Sequence, residues 1–199
     1  MYINDVRLTG EMTGKRFNEK TFFDSQNARR NLDAVVSSVI FEGWNRSQVQ
    51  RFMSEVGASV RSYNPGNVIV EKGEVADGMY LILKGAVELP DLGEKLVAPS
   101  SFGEAAVLPY KPDKERNATV IAERSSPEGV GFVTDLAYLP GVMIMAMKSS
   151  DSPLLTGFYG GLIKEVHQRM ANMNVVTAGL REKNADLTRR LDQYAKEER

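Results

Sequence analysis

The stretch Gly78–Pro90, "GMYLILKGAVELP", decides the fold class. In its first half, Met79, Leu81 and Leu83 alternate with Tyr80, Ile82 and Lys84, which is a period of two. Gly85 interrupts this pattern, and a second short run of β-forming residues follows. This pattern predicts two strands joined by a tight turn. Similar short runs, divided by Gly, Pro and Asn, lie on both sides, in "NPGNVIVEKG" (64–73), "EKLVAPSSFGEAAVL" (94–108), "ERNATVIAE" (115–123), "EGVGFVT" (128–134) and "GVMIMAMK" (141–148). Strands at this spacing are typical of an antiparallel sandwich or barrel.

Helical periodicity replaces the strand pattern before this region. Apolar residues recur at helical spacing in "NLDAVVSSVIFEGW" (31–44), and Asn45 or Ser47 is placed to cap a second helix, "SQVQRFMSEVGASV" (47–60), which Gly57 weakens or ends. Residues 1–30 are polar and predict a loosely structured arm, with one docked segment around Phe22 and Phe23. We therefore expect three units: the arm (1–30), a β-rich domain with its N-terminal helices (31–151) and a C-terminal helix (152–199).

The C-terminal helix carries a heptad pattern. Ser152 and Pro153 fit a helix start, with Ser as the cap and Pro at the first helical position. Two sets of mostly apolar residues then recur every seven positions, as in a dimeric coiled coil, and Asn184 at an a position favours two strands. A helix packed along its own domain is the alternative, but most residues after Arg181 are charged. The predicted dimerisation residues are Val166, Met170, Met173, Leu180, Asn184, Leu187 and Leu191.

The composition excludes several classes of function. The formal net charge is −1, which gives no electrostatic reason to expect DNA or an anionic membrane as the main partner. There is no cysteine and a single histidine, His167, so a zinc site of the Cys/His type and a cysteine nucleophile are impossible. No apolar run is long enough to span a membrane, and the N-terminal residues are not a secretory signal. The absence of cysteine fits a cytoplasmic protein.

Two blocks of sequence resemble the cyclic nucleotide-binding domain family. The first is "EKGEVADGMYLILKGAVEL" (Glu71–Leu89), and the second is "FGEAAVLPYKPDKERNATV" (Phe102–Val120), which is similar to the phosphate-binding cassette of that family. The resemblance implies an α+β fold: an antiparallel, jelly-roll-like β-roll (a double-stranded β-helix) between N-terminal helices and a long C-terminal coiled-coil helix. It further implies a ligand, most often cAMP with cGMP as an alternative, and no metal. The implied ligand-binding residues are Gly103, Glu104, Ala105, Arg116, Asn117 and Ala118, with Met173 and Asn174 near the base.

The chemistry of the second block fits such a ligand. A cyclic nucleotide has one phosphate charge and a free ribose 2′-hydroxyl. Arg116 supplies a planar, permanently charged donor fork for phosphate oxygens, and Glu104 supplies an acceptor for the hydroxyl. Gly103 admits a close backbone approach, and a short helical turn near Ala105 directs N–H groups at the phosphate. The alternative is that Glu104 and Arg116 simply pair with each other.

This block departs from the family pattern in two places. Twelve positions separate Glu104 from Arg116, which is two or three more than in the family, and the extra residues fall in "PYKPDKE" (109–115). Asn117 replaces the Ala, Ser or Thr that is usual after the arginine, and it does not decide between cAMP and cGMP because it both donates and accepts. The segment "RSSPEGVGFVTDLAYLPG" (124–141) is also longer than the corresponding hairpin of the family.

Three functions follow as hypotheses. The leading one is a homodimeric, non-enzymatic sensor that binds a cyclic nucleotide and transmits occupancy through its C-terminal helix to an effector domain or protein, without binding DNA itself. The second is a ligand-independent interaction module with a degenerate cassette. The third, an enzyme of the cupin type, is disfavoured because such enzymes hold a metal through several histidines and this chain has one.

Overall fold

The structure is a computed structural model that describes residues 17–23, 27–108, 115–124, 132–147 and 152–197, the last seven of these as backbone only. The strands are β1 (Asn18–Thr21), β2 (Ser59–Tyr63), β3 (Val68–Val70), β4 (Gly78–Lys84), β5 (Ala86–Leu89), β6 (Glu94–Val97), β7 (Ser101–Phe102), β8 (Val120–Ala122) and β9 (Thr134–Pro140). The helices are α1 (Ala28–Val36), α2 (Arg46–Glu55), α3 (Gly141–Met147) and α4 (Pro153–Glu197), with 3₁₀ helices at Val39–Phe41 and Glu104–Val107.

The strands form two antiparallel sheets. The five-stranded sheet has the order β1-β2-β9-β4-β7, and the four-stranded sheet has the order β3-β8-β5-β6. The prediction of an α+β fold built on an antiparallel β-roll, with N-terminal helices and a long C-terminal helix, is confirmed. The hairpin predicted from "GMYLILKGAVELP" divides between the sheets, because β4 pairs with β7 and β9 while β5 pairs with β6 and β8.

Two apolar clusters hold the fold together. One lies between the sheets and contains Tyr80 stacked on Phe102, with their ring centroids 5.0 Å apart. The other lies between the five-stranded sheet and the helices, and it contains Phe52 stacked on Phe158 of α4 at 4.8 Å. Alternating residues of β4 face the two clusters, which is why its strand pattern is apolar on both faces.

The N-terminal region differs in part from its prediction. Asn45 caps α2 in a capping box with Gln48, as one of the two predicted caps. Gly57 ends the helix, which is one of its two predicted effects: α2 ends at Glu55 and β2 begins at Ser59. Gly57 has a positive φ of 61°, and its amide and that of the next residue bond back to the last turn, which closes the helix as a Schellman motif. Within the predicted arm, β1 pairs with β2 and Phe22 is fully buried.

The segment "GVMIMAMK" was predicted as a strand, and this prediction is wrong. Its residues Gly141–Met147 form α3, in which Gly141, Ile144 and Met147 are buried. Apolar residues occupy nearly every position of the segment, so neither a period of two nor one of 3.6 stands out. Gly141 packs closely against the second 3₁₀ helix, since a β-carbon there would lie 2.9 Å from the Ala106 carbonyl oxygen.

The C-terminal helix α4 begins at Pro153, as predicted, and its 45 residues give a length of about 68 Å. Its first four turns pack on the domain through a buried face that includes Leu155, Phe158 and Leu162. From Met170 to residue 190 every side chain is exposed. The alternative of a helix packed along its own domain is therefore wrong for this second half.

Candidate functional site

A cavity of about 490 Å³ lies between the four-stranded sheet, the second 3₁₀ helix and α4. Its wall is largely apolar, with a small number of charged side chains, which is the usual composition of a small-molecule site. The lining residues are contributed by β3 and its extension (Val70, Ala76), the β5–β6 hairpin (Leu89, Leu92, Glu94, Leu96), the second block (Phe102–Ala105, Glu115–Ala118, Val120) and α4 (Val166, Arg169, Met170, Met173).

Arg116 is the buried cation of this cavity, with 6% of its surface exposed. One of its terminal nitrogens donates to the Gly78 carbonyl oxygen at 2.8 Å, and the other donates to Asp77 Oδ1 at 2.9 Å. Its Nε is buried and has no hydrogen-bond partner in the described part of the chain. A buried N–H without a partner is rare, so this atom marks a donor that a bound anion can satisfy.

Gly103 makes room for this arginine. Its φ is +80°, in the left-handed region that favours glycine. A β-carbon at this position would lie 2.6 Å from the nearer terminal nitrogen of Arg116. The sequence prediction that Gly103 admits a close approach is therefore consistent with the structure, although the group that approaches is the guanidinium of the same site.

Glu104 does not pair with Arg116, so that alternative is wrong. The Glu104 carboxylate lies at the start of the second 3₁₀ helix, where it accepts from the Ser101 hydroxyl at 3.1 Å and from Arg169 of α4 at 2.5 Å. The two charged residues of the cassette thus have separate partners: Glu104 pairs with Arg169, and Arg116 pairs with Asp77.

Arg169 was missed in the sequence. The nitrogen that contacts Glu104 also donates to the Ser101 carbonyl oxygen at 2.6 Å and to Glu165 at 3.0 Å. Burial by itself lowers the pKa of Arg169, but the two neighbouring carboxylates outweigh it and the pKa is raised, so the side chain stays charged. Glu165 and Arg169 stand four residues apart on one helix, a spacing that predicts an ion pair but does not reveal Glu104 as the third member.

Glu165 fastens this network to the sheet. It is 7% exposed and accepts from both the amide and the hydroxyl of Ser101, each at 3.0 Å. Ser101 lies in β7, two residues before Gly103. The fourth and fifth turns of α4 are therefore bonded directly to the strand that leads into the second block.

The other predicted site residues divide into two groups. Ala105, Asn117, Ala118 and Met173 line the cavity with the residues described above. Asn174 is exposed on α4 and is not among the lining residues, so its contact with a base stays a prediction. The long segment "PYKPDKE" lies outside the described residues except for Glu115, and so does most of the first half of residues 124–141.

The predicted dimerisation residues lie on α4, and Val166, Met170 and Met173 also face the cavity. Met170, Met173, Leu180 and Leu187 are each more than half exposed. The Leu191 side chain lies outside the described part of the structure.

Neither a metal cluster nor a membrane helix emerges from the described ranges. Within them, no group of three or more His, Asp or Glu side chains is arranged to hold a metal ion. In the same ranges, no helix combines the length and the apolar character that a membrane span requires.

The fold is a β-roll with a cavity beside its four-stranded sheet, and comparison with known proteins relates its central part to a family. The sequence profile described as "Cyclic nucleotide-binding domain" matches residues 60–126, which include Gly103, Glu104 and Arg116. These residues therefore form a domain of the cyclic nucleotide-binding family. A comparison with curated protein sequences found no match.

Solved structures agree on the fold. A cyclic nucleotide-binding domain from Methylobacillus flagellatus KT has a TM-score of 0.58 at 15% identity, over 77% of this chain and 90% of that one. The cAMP-bound PfPKA-R has a TM-score of 0.53 at 19% identity, over 75% of this chain and 48% of that one. The N-terminal domain of a transcriptional regulator from Streptomyces coelicolor A3(2) has a TM-score of 0.51 at 17% identity, over 71% of this chain and 95% of that one.

Proposed function

We propose that this protein is a homodimeric, non-enzymatic sensor that binds a cyclic nucleotide, preferably cAMP, and transmits occupancy through α4. The observation that carries the proposal is the buried guanidinium of Arg116 on the cavity wall, with its unpartnered Nε. Arginine remains charged at every physiological pH and presents several donors in one plane, which suits the oxygens of a phosphate.

The rest of the cavity suits the sugar and the base. Glu104 is an acceptor for the ribose 2′-hydroxyl, and Phe102 and the leucines of the β5–β6 hairpin offer an apolar wall to a purine ring.

Arg169 offers a route from the ligand to the helix. A ribose hydroxyl that donates to Glu104 shares the carboxylate that Arg169 contacts, and Arg169 belongs to α4. The ligand changes the position of α4 only by the difference in its affinity for two helix arrangements. Competition for Glu104 is one physical source of such a difference.

The exposed seam of α4 supports the dimer. Met170, Met173, Leu180 and Leu187 recur at heptad spacing and are more than half exposed on a helix that extends away from its own domain. A second copy of the same helix would bury these side chains in a coiled coil. In this proposal, residues 152–199 form the dimerisation unit.

Titration calorimetry with cAMP and cGMP tests the binding. We expect the wild-type chain to bind cAMP and Arg116→Ala to weaken it by at least about 100-fold, since two charge-assisted hydrogen bonds contribute about 1.5–3 kcal/mol each. Arg124→Ala, which removes an exposed arginine beyond the far end of β8, is the matched control and should bind as wild type. Thermal melts establish that both variants fold.

A second candidate function is a ligand-independent interaction module. It is favoured by the fact that both charged groups of the cassette have partners within the chain, Asp77 for Arg116 and Arg169 for Glu104. The same titration separates the two functions. If neither nucleotide gives heat or a thermal shift at concentrations well above micromolar, the sensor is refuted and the interaction module is supported.

A further inference from the structure

Glu94 is a charged side chain in an otherwise apolar part of the cavity wall. It lies at the start of β6, opposite Leu89 of β5, and the same hairpin contributes Leu92 and Leu96 to the wall. Glu94 is half-buried, unlike the exposed residues of the turn before it. In the described part of the chain the Glu94 carboxylate has neither a hydrogen bond nor an ion pair, whereas the Glu104 carboxylate has two partners.

The hairpin that carries Glu94 is attached to the second block. Asp91, at the tip of the hairpin, accepts from the Thr119 amide at 2.9 Å, which holds the tip beside the residues that follow Arg116. A phosphate on Arg116 and a ribose on Glu104 use the two charged groups of the cassette. The base then extends toward the wall that remains, which is the hairpin on one side and Met170 and Met173 of α4 on the other.

The carboxylate of Glu94 restricts which base can lie against it. An ionised carboxylate has acceptors and no donor. Once a ligand covers it, the carboxylate is shielded from water, and such a group is costly unless it receives a hydrogen bond. A base with an exocyclic amino group supplies that bond, whereas a base with only acceptors at the same edge places lone pairs against a negative charge.

We infer that Glu94 reads the edge of the base by accepting a hydrogen bond from an exocyclic amino group, so that the cavity selects an amino-bearing purine. This inference rests on the proposed function, because it requires a cyclic nucleotide in the cavity. It adds a specificity residue outside the cassette, on a strand that the sequence blocks do not include.

Two ligands that differ only in the amino group test the inference. They are cAMP and the 3′,5′-cyclic monophosphate of purine riboside, which lacks the 6-amino group. We expect wild type to bind cAMP roughly tenfold or more tightly than the deamino ligand, as the loss of one hydrogen bond to a charged group predicts. In Glu94→Ala the ratio of the two dissociation constants should fall below about threefold. Glu94→Gln keeps the shape of the side chain and one neutral acceptor. Its ratio of dissociation constants should lie between those of wild type and Glu94→Ala.

Glu115→Ala is the matched control, since Glu115 lines the cavity next to Arg116 and is exposed. It should change both dissociation constants by the same factor and leave their ratio as in wild type. Equal affinity of wild type for the two ligands overturns the inference, and so does a wild-type ratio in Glu94→Ala, while cAMP binding itself still supports the nucleotide site. If neither ligand binds to wild type, the proposed function fails and the inference fails with it.

Discussion

At the level of single residues, the cavity contains two arginines that are held by different partners. Arg116 is held by Asp77 and a backbone carbonyl, and its position depends on the missing side chain of Gly103. Arg169 is held by Glu104, Glu165 and Ser101, and it comes from α4. In the proposed function, Arg116 receives the phosphate, and Arg169 competes with the ribose hydroxyl for Glu104.

This competition predicts the effect of Arg169→Ala. Without the guanidinium, the Glu104 carboxylate is free to accept the ribose 2′-hydroxyl fully. We expect the preference for cAMP over 2′-deoxy-cAMP to increase by roughly fivefold, which corresponds to about 1 kcal/mol for one hydrogen bond. Calorimetry with the two nucleotides measures it. Gln168→Ala, at an exposed neighbour on α4, should leave the preference unchanged, and an unchanged preference in Arg169→Ala contradicts the competition.

At the scale of elements, the start of α4 is fitted to the N-terminal helices by glycine. A β-carbon at Gly161 would lie 1.8 Å from the Ile40 carbonyl oxygen, and one at Gly157 would lie 2.8 Å from the Trp44 ring. Backbone atoms cannot move aside as a flexible side chain can, so the first of these contacts is the stricter. Close approach here aligns the following turns, which carry Glu165 and Arg169 to the cavity.

Gly161→Ala should therefore destabilise the fold. We expect the free energy of unfolding to fall by about 1–3 kcal/mol, because the added methyl group forces α4 away from Ile40. The adjacent Gly160→Ala is the matched control: a β-carbon there meets nothing within 4 Å, and alanine favours a helix by about 1 kcal/mol over glycine. Urea unfolding of both variants measures the difference. Equal stability of the two would show that the contact at Gly161 is readily relieved.

At the scale of the whole molecule, the second half of α4 is an exposed apolar seam on a largely charged helix. Its residues extend beyond the domain and none of those described from Met170 onward is buried. Met173 belongs both to this seam and to the cavity wall. If the seam pairs with a second copy, ligand binding and dimerisation involve the same helix face, and each affects the other by the same free energy.

Leu180→Glu tests the seam. Each buried leucine contributes about 1.5–3 kcal/mol and two are lost per dimer, so the dissociation constant of the dimer should rise by at least about 100-fold. Ala178→Glu adds the same charge on the outer face of the same turn and should leave the dimer intact. Sedimentation velocity over a range of concentrations distinguishes the two. A wild-type chain that sediments as a monomer at all concentrations contradicts the dimer.

Local sequence patterns were sufficient to predict the β-roll, the start of α4 and the presence of Gly103, Glu104 and Arg116 in one short block. These features depend on local periods, on turn residues and on a motif that is contiguous in the chain.

The partners of those residues depend on tertiary packing. Glu104 meets Arg169 across 65 positions and Arg116 meets Asp77 across 39, and no local period encodes such separations. The helix over Gly141–Met147 was likewise not evident from the sequence, because apolar residues occupy nearly every position of "GVMIMAMK" and neither period stands out. The tertiary structure also brought Glu94 into the cavity wall, since the pairing of β5 with β6 and β8 places that hairpin beside the residues that follow Arg116.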